Sequence, residues 1–103
     1  MSQRSLNYFA VTRERGEDWD ASLSMRQQQK WDEHAVFMNA LADEGFVVLG
    51  GPLDDGEKIL LIINAKSEME IADRLADDPW TSMGLLRIAK IERWEILLMY
   101  SGS

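Results

Sequence analysis

No cysteine occurs among the 103 residues. Disulfides, thiolate nucleophiles and Cys-based zinc sites are therefore excluded. Proline occurs twice and histidine once. No apolar run approaches the roughly 20 residues that a membrane span needs. The opening MSQRSLNYFAV has one Arg and a short apolar run, too short for a secretory signal. These absences lead to the expectation of a soluble, cytoplasmic protein. Positive charge is also scarce: 11 Lys and Arg stand against 18 Asp and Glu, a net charge of -7. Such a surface repels phosphate backbones, so no nucleic-acid partner is expected. What is present is globular in character, with 46% hydrophobic residues. The length suits one domain spanning residues 1–103.

Along the chain, LNYFAV from Leu6 to Val11 reads as a strand, and the charged RERGEDWDAS that follows reads as a loop. Ser24 and Gln27 have capping-box spacing. They predict a helix of about 20 residues, carried by Trp31, Ala35, Met38 and Ala42 and stopped by Gly45. Phe46 to Leu49 is a second strand. GGPLDDGEK then reads as a hairpin connection, with Asp55-Gly56 as its turn. ILLII, Ile59 to Ile63, is a third strand whose continuous apolar character implies burial on both faces. Ser67 and Glu70 open a second helix, which Pro79 ends. Ile88 to Met99 reads as a long last strand, and the tail SGS as loose.

The order strand, helix, strand, strand, helix, strand is that of an α+β ferredoxin-like βαββαβ domain. Its four-stranded antiparallel sheet carries two helices on one face. LNYFAV and ILLII place apolar side chains on the other face as well. A large bare apolar patch is rare on a monomer, so a homodimer joined through sheet faces is expected.

His34 is the lone histidine. With Trp31 at zero on a helical wheel, His34 falls about 60° to one side, while Met38 and Ala42 lie near zero. It therefore belongs to the edge of the apolar stripe, away from Asp32, Glu33 and Asn39. Two readings are open: a packed core histidine bonded to a backbone carbonyl, or a general acid–base group with an orienting carboxylate. Asp77 and Asp78 supply carboxylates at the C-terminal end of the second helix, where negative charge costs about 0.3–1 kcal/mol. Either they are solvated or paired with Arg74, or Asp78, stiffened by Pro79, partners His34.

GGPL, Gly50 to Leu53, permits close backbone approach and then fixes the exit direction. It suits a pocket wall or a bending strand end, and it lacks the spacing and lysine of a phosphate loop. One histidine with scattered carboxylates gives no metal-ligand spacing, so no metal is expected. No serine-nucleophile elbow or cofactor motif is present. The tryptophans and methionines read as core filling.

Taken in order, Tyr8-Phe9, Trp31-x-x-His34, Gly50-Gly51-Pro52-Leu53, Asp78-Pro79-Trp80 and Trp94 resemble the YCII-related (YciI-like) proteins of the dimeric α/β-barrel superfamily. The likeness runs from Leu6 to Leu98. It implies a ferredoxin-like protomer, a dimer with facing sheets and a His–Asp pair in a cleft, here His34 and Asp78. The family's Gly-Pro falls on Gly51-Pro52. Tyr8, Gly51, Pro52 and Trp80 are implied substrate contacts, and no cofactor is implied. Some relatives are lyases that eliminate halide from an aromatic substrate, and muconolactone isomerases are more distant kin. One departure is the longer charged loop from Arg13 to Ser24 with Trp19, which suits a cap over the cleft. The resemblance favours the acid–base reading of His34. The expected function is lyase or isomerase chemistry on a cyclic or aromatic metabolite, with a non-catalytic ligand-binding or accessory dimer as the alternative.

Overall fold

The computed structural model describes residues 7–54, 56–100 and 102. The strands are β1 (Tyr8–Arg15), β2 (Val47–Pro52), β3 (Lys58–Asn64) and β4 (Leu86–Trp94). The helices are α1 (Trp31–Asp43), α2 (Glu68–Ala76) and the short α3 (Pro79–Ser82), and a 3-10 turn spans Met25–Gln27. The strands lie in the order β2-β3-β1-β4, with every neighbouring pair antiparallel. Each strand–helix–strand unit therefore straddles a strand of the other, the split βαβ arrangement of a ferredoxin-like α+β fold with its helices on one face.

Alternation explains the core. Along β1, Phe9, Val11 and Arg13 are buried while the intervening side chains are only partly so. Phe9 and Val11 meet Leu61 and Ile63 of β3, and Leu41, Phe46, Ile71 and Leu75 close over them from the helix side. A second cluster gathers around Trp80, Leu85 and Leu86, with Trp19, Met25 and Trp31 packed against it. The end of α1 obeys its glycine signal. Gly45 takes φ 82°. Its N–H donates to the Ala42 carbonyl and that of Phe46 to the Leu41 carbonyl, both at 3.0 Å. These are the two bonds of a Schellman stop.

Several boundaries differ from the sequence expectations. β1 does not stop at Val11 but runs through the charged residues to Arg15. Arg13 keeps the inward register because a buried carboxylate awaits it, and Glu14 accepts from Arg87 at 2.7 Å. Leu6 lies outside the described residues. The long first helix is broken. Ser24 N–H donates to Gln27 Oε1 at 2.9 Å, as a capping pair should, but it starts only the 3-10 turn. Gln28 is then buried, its amide donating to the Asp20 carbonyl at 2.7 Å and the Leu23 carbonyl at 3.2 Å. Lys30 turns to φ 60° before α1 begins. The side-chain bonds of Gln28 compete with helix continuation.

β2 extends through the GGP segment, with Gly50, Gly51 and Pro52 opposite Leu61, Leu60 and Ile59. Gly56 makes the turn at φ 73°, while Asp55 lies outside the described residues. β4 ends at Trp94 rather than Met99, since its final partner is Tyr8, the first residue of β1. Of the tail SGS, Ser101 and Ser103 lie outside the described residues. Among the described residues, no helix is long and apolar enough to cross a membrane.

Candidate active site

Three elements converge below the first turn of α1. His34 stands on that turn and is nearly buried. Asp78 follows α2, whose last helical residue is Ala76. Pro79 stops one helix there and starts another: Asp78 is the N-cap of α3, with Pro79 at its first position. The Asp78 carboxylate accepts the Trp80 N–H at 2.9 Å. Its charge thus lies at a favourable helix start, rather than only at the unfavourable helix end that the sequence suggested. Arg74, the other suggested partner for these carboxylates, pairs instead with Glu44 at 2.7 Å.

His34 Nδ1 lies 3.0 Å from Asp78 Oδ1 and 2.9 Å from Oδ2. From β1, Arg13 Nη1 donates to Asp78 Oδ2 at 2.8 Å. Asp78 and Arg13 are 0% and 1% exposed. Burial pushes the Asp78 carboxyl up, but hydrogen bonds from His34, Arg13 and the Trp80 backbone, with the His34 charge, outweigh it and hold the group below its ordinary value. Asp78 is therefore ionised at neutral pH. An ionised carboxylate only accepts, so Nδ1 carries the hydrogen, and whenever the ring holds one proton its lone pair lies on Nε2. Among the described residues nothing hydrogen-bonds Nε2.

Trp80 fixes the plane of that ring. The two ring systems stack with centroids 3.9 Å apart and planes 6° from parallel. The indole N–H donates to the Gln29 carbonyl at 2.7 Å, in the segment just before α1. Trp80 itself has no exposed surface. It lies behind the imidazole rather than on the wall of an open space. Trp19 meets the Trp80 ring edge-on at 5.6 Å, so the loop after β1 braces the site from behind and Trp19 does not roof it.

His34 borders a hollow of about 470 Å³ between α1 and the β2–β3 hairpin. Trp31, Met38, Pro52, Ile59 and Leu61 give it apolar walls, and Asn39 is the other polar side chain on it. Of the residues singled out in the sequence, His34, Gly51 and Pro52 border this hollow, and Asp78 touches it only through His34. Tyr8 does not reach it and lines a separate depression beside Trp94. Arg13 is the member of the cluster that sequence reasoning missed. Its signal was the period-two alternation with Phe9 and Val11, continued one step into a charged stretch. Among the described residues, no group of three or more His, Asp or Glu side chains is arranged to hold a metal.

The fold and the site together define a ferredoxin-like α+β domain carrying a buried Arg–Asp–His array beside an apolar hollow. No protein-family model matches the chain, and no curated protein matches it. Among solved structures the chain is similar to the 5-chloro-2-hydroxyhydroquinone dehydrochlorinase of Burkholderia phenoliruptrix AC1100, in complex with 2,5-dihydroxybenzoquinone. The TM-score is 0.53 and the identity 25%, over 84% of this chain and 93% of that one. That protein is an enzyme acting on an aromatic hydroquinone.

Proposed function

We propose that the protein is a small-molecule enzyme of the YciI-like, dimeric α/β-barrel kind, with His34 as its acid–base group and Asp78 as the residue that orients it. The observation that carries this reading is the division of labour on one imidazole. Nδ1 is held by a buried carboxylate, Nε2 has no hydrogen-bond partner among the described residues, and the imidazole borders a hollow large enough for a single ring. The fit to an aromatic hydroquinone-acting enzyme supports a ring-shaped substrate.

The chemistry follows from the geometry. Nε2 takes a proton from an O–H or C–H of the substrate, and the electron pair left behind becomes a new π bond. In an elimination the leaving group departs with its own bonding pair. In an isomerisation the imidazolium returns the proton to a different carbon. Asp78 stabilises the imidazolium while it exists and keeps the ring in one tautomer. The apolar walls strengthen these electrostatic effects by excluding water.

Proton transfer by a placed side chain is worth about 10²–10⁴ in rate. His34→Gln is therefore expected to lower kcat by at least that lower bound on halogenated or hydroxylated quinols, measured by loss of substrate absorbance and release of halide. Turnover that survives the substitution intact would sink the proposal. A second reading has its own support: apart from His34 and Asn39 the hollow is apolar, which suits a non-catalytic ligand-binding dimer. In that case His34→Gln changes ligand affinity, and no quinol is turned over by either protein.

A further inference from the structure

Arg13 is a buried charge to which the proposed chemistry assigns no task. Its side chain makes a two-pronged contact with the α2–α3 junction. Nη1 donates to Asp78 Oδ2 at 2.8 Å and Nη2 to Thr81 Oγ1 at 2.7 Å. Thr81 Oγ1 in turn donates to the Leu75 carbonyl at 2.8 Å, so the second prong is anchored on the last turn of α2. The guanidinium Nε has no hydrogen-bond partner. For stability alone an apolar residue, continuing the Phe9 and Val11 series, would do as well, since a buried ion pair is often no better than a hydrophobic replacement.

The charge count gives Arg13 a different meaning. A buried carboxylate facing only an imidazole favours the doubly protonated ring, because the resulting ion pair is neutral. A ring held that way has no lone pair on Nε2. With a guanidinium already balancing Asp78, the carboxylate can orient the ring without demanding its protonation. Other charges do not interfere. Lys30, just before α1, and Glu33, on its first turn, are solvent-exposed and 3.5 Å from each other. Arg26 lies over the Trp31 ring. β2 and β3 contribute no titratable side chain to the hollow.

We propose that Arg13 is a positioning residue: by neutralising and clamping Asp78 it keeps Nε2 of His34 unprotonated and ready to accept a proton. This rests on the reading of His34 as a base, yet it concerns the free protein and is tested without a substrate. The chain has a single histidine, so its ring signals in a ¹H–¹⁵N NMR titration need no assignment. In Arg13→Gln the ring is expected to gain its second proton at a pH about one unit higher than in wild type. Arg13→Lys keeps the charge and is expected to stay near wild type, even where it lowers Tm. An Arg13→Gln protein that is folded, less stable and titrates with wild type would leave Arg13 a purely structural role and overturn the proposal. Should Arg13→Gln fail to fold, wild type decides: the Arg13 guanidinium signals must shift in step with the histidine, and indifference overturns it. An unshifted titration with an essential His34 removes only Arg13's role. A shifted titration with a dispensable His34 removes only the enzymatic reading.

Discussion

Asp78 faces three donors in a volume with no access to water: His34 Nδ1, near both of its oxygens, Arg13 Nη1 and the Trp80 backbone N–H. These bonds depress its native titration, and the sign of the stability effect follows. In the unfolded chain an Asp ionises near pH 3.9. Above that pH the native contacts contribute fully. As pH falls through the lower native value the folded carboxyl must also take a proton, and the contribution disappears. Asp78→Asn removes the dependence along with the charge. It also strands Arg13 in the interior, for which a cost of about 3–5 kcal/mol is expected. Urea unfolding of both proteins should show a large gap at pH 7 that narrows below pH 4. A gap independent of pH would mean that Asp78 acts through shape and not through charge.

At the level of elements, the sequence was read well where one local rule governed and poorly where a distant partner did. The order of strands and helices, the Gly45 stop and the Ser67 cap, whose hydroxyl accepts from Glu70 N–H at 3.1 Å, all rest on neighbours a few residues apart. The extension of β1 through Arg13 rests on Asp78, 65 residues away, and the period-two alternation alone does not say that a charge at the third inward position will be buried. The helix break rests on Gln28 choosing loop carbonyls over its own helix, again a tertiary matter. The Asp-Pro was read as an end when it was also a beginning. GGP was read both as the start of a connection and as a pocket wall or bending strand end; its residues pair with β3 and border the hollow. The two glycines there differ in a testable way. A Cβ on Gly50 would lie 2.5 Å from Leu61 Cδ2 and 3.1 Å from the Leu60 carbonyl, whereas one on Gly51 meets nothing within 4 Å. Gly50→Ala is thus expected to cost about 1–3 kcal/mol through overpacking. Gly51→Val should change stability by no more than about 1 kcal/mol. Opposite Leu60, its side chain points to the face of the sheet away from α1 and the hollow, so ring-ligand affinity should stay at the wild-type level. Calorimetry of both variants, with and without a dihydroxybenzoquinone probe, separates the effects, and a Gly51→Val protein that loses ring-ligand affinity would overturn this placement of its side chain.

The whole molecule leaves one face of its sheet without a helix. Alternation opposite Phe9, Val11, Leu61 and Ile63 puts Ala10, Leu60 and Ile62 there, with Ala10 and Leu60 partly exposed, Ile62 already buried and Thr12 paired against Leu60. Beyond β4, the chain carries Leu97, Leu98, Met99 and Tyr100, each more than two-thirds exposed. Single exposed apolar residues are ordinary, but a sheet face and an adjoining run of four are not. Burial in a second copy, the arrangement expected from the sequence, would cover both. A twofold interface uses the same surface on both copies, so one substitution at Leu60 would strike it twice. Leu60→Glu brings one carboxylate from each copy into a region that must exclude water, and several kcal/mol of association is lost. Sedimentation of wild type is expected to give a dimer and Leu60→Glu a monomer. His34 and Asp78 lie on the helix side, so the monomer should retain the NMR signature of the ring and its carboxylate even if its activity falls. A wild-type protein that sediments as a monomer at micromolar concentration would leave the apolar face unexplained by self-association, and would end the sheet-to-sheet arrangement as an account of it.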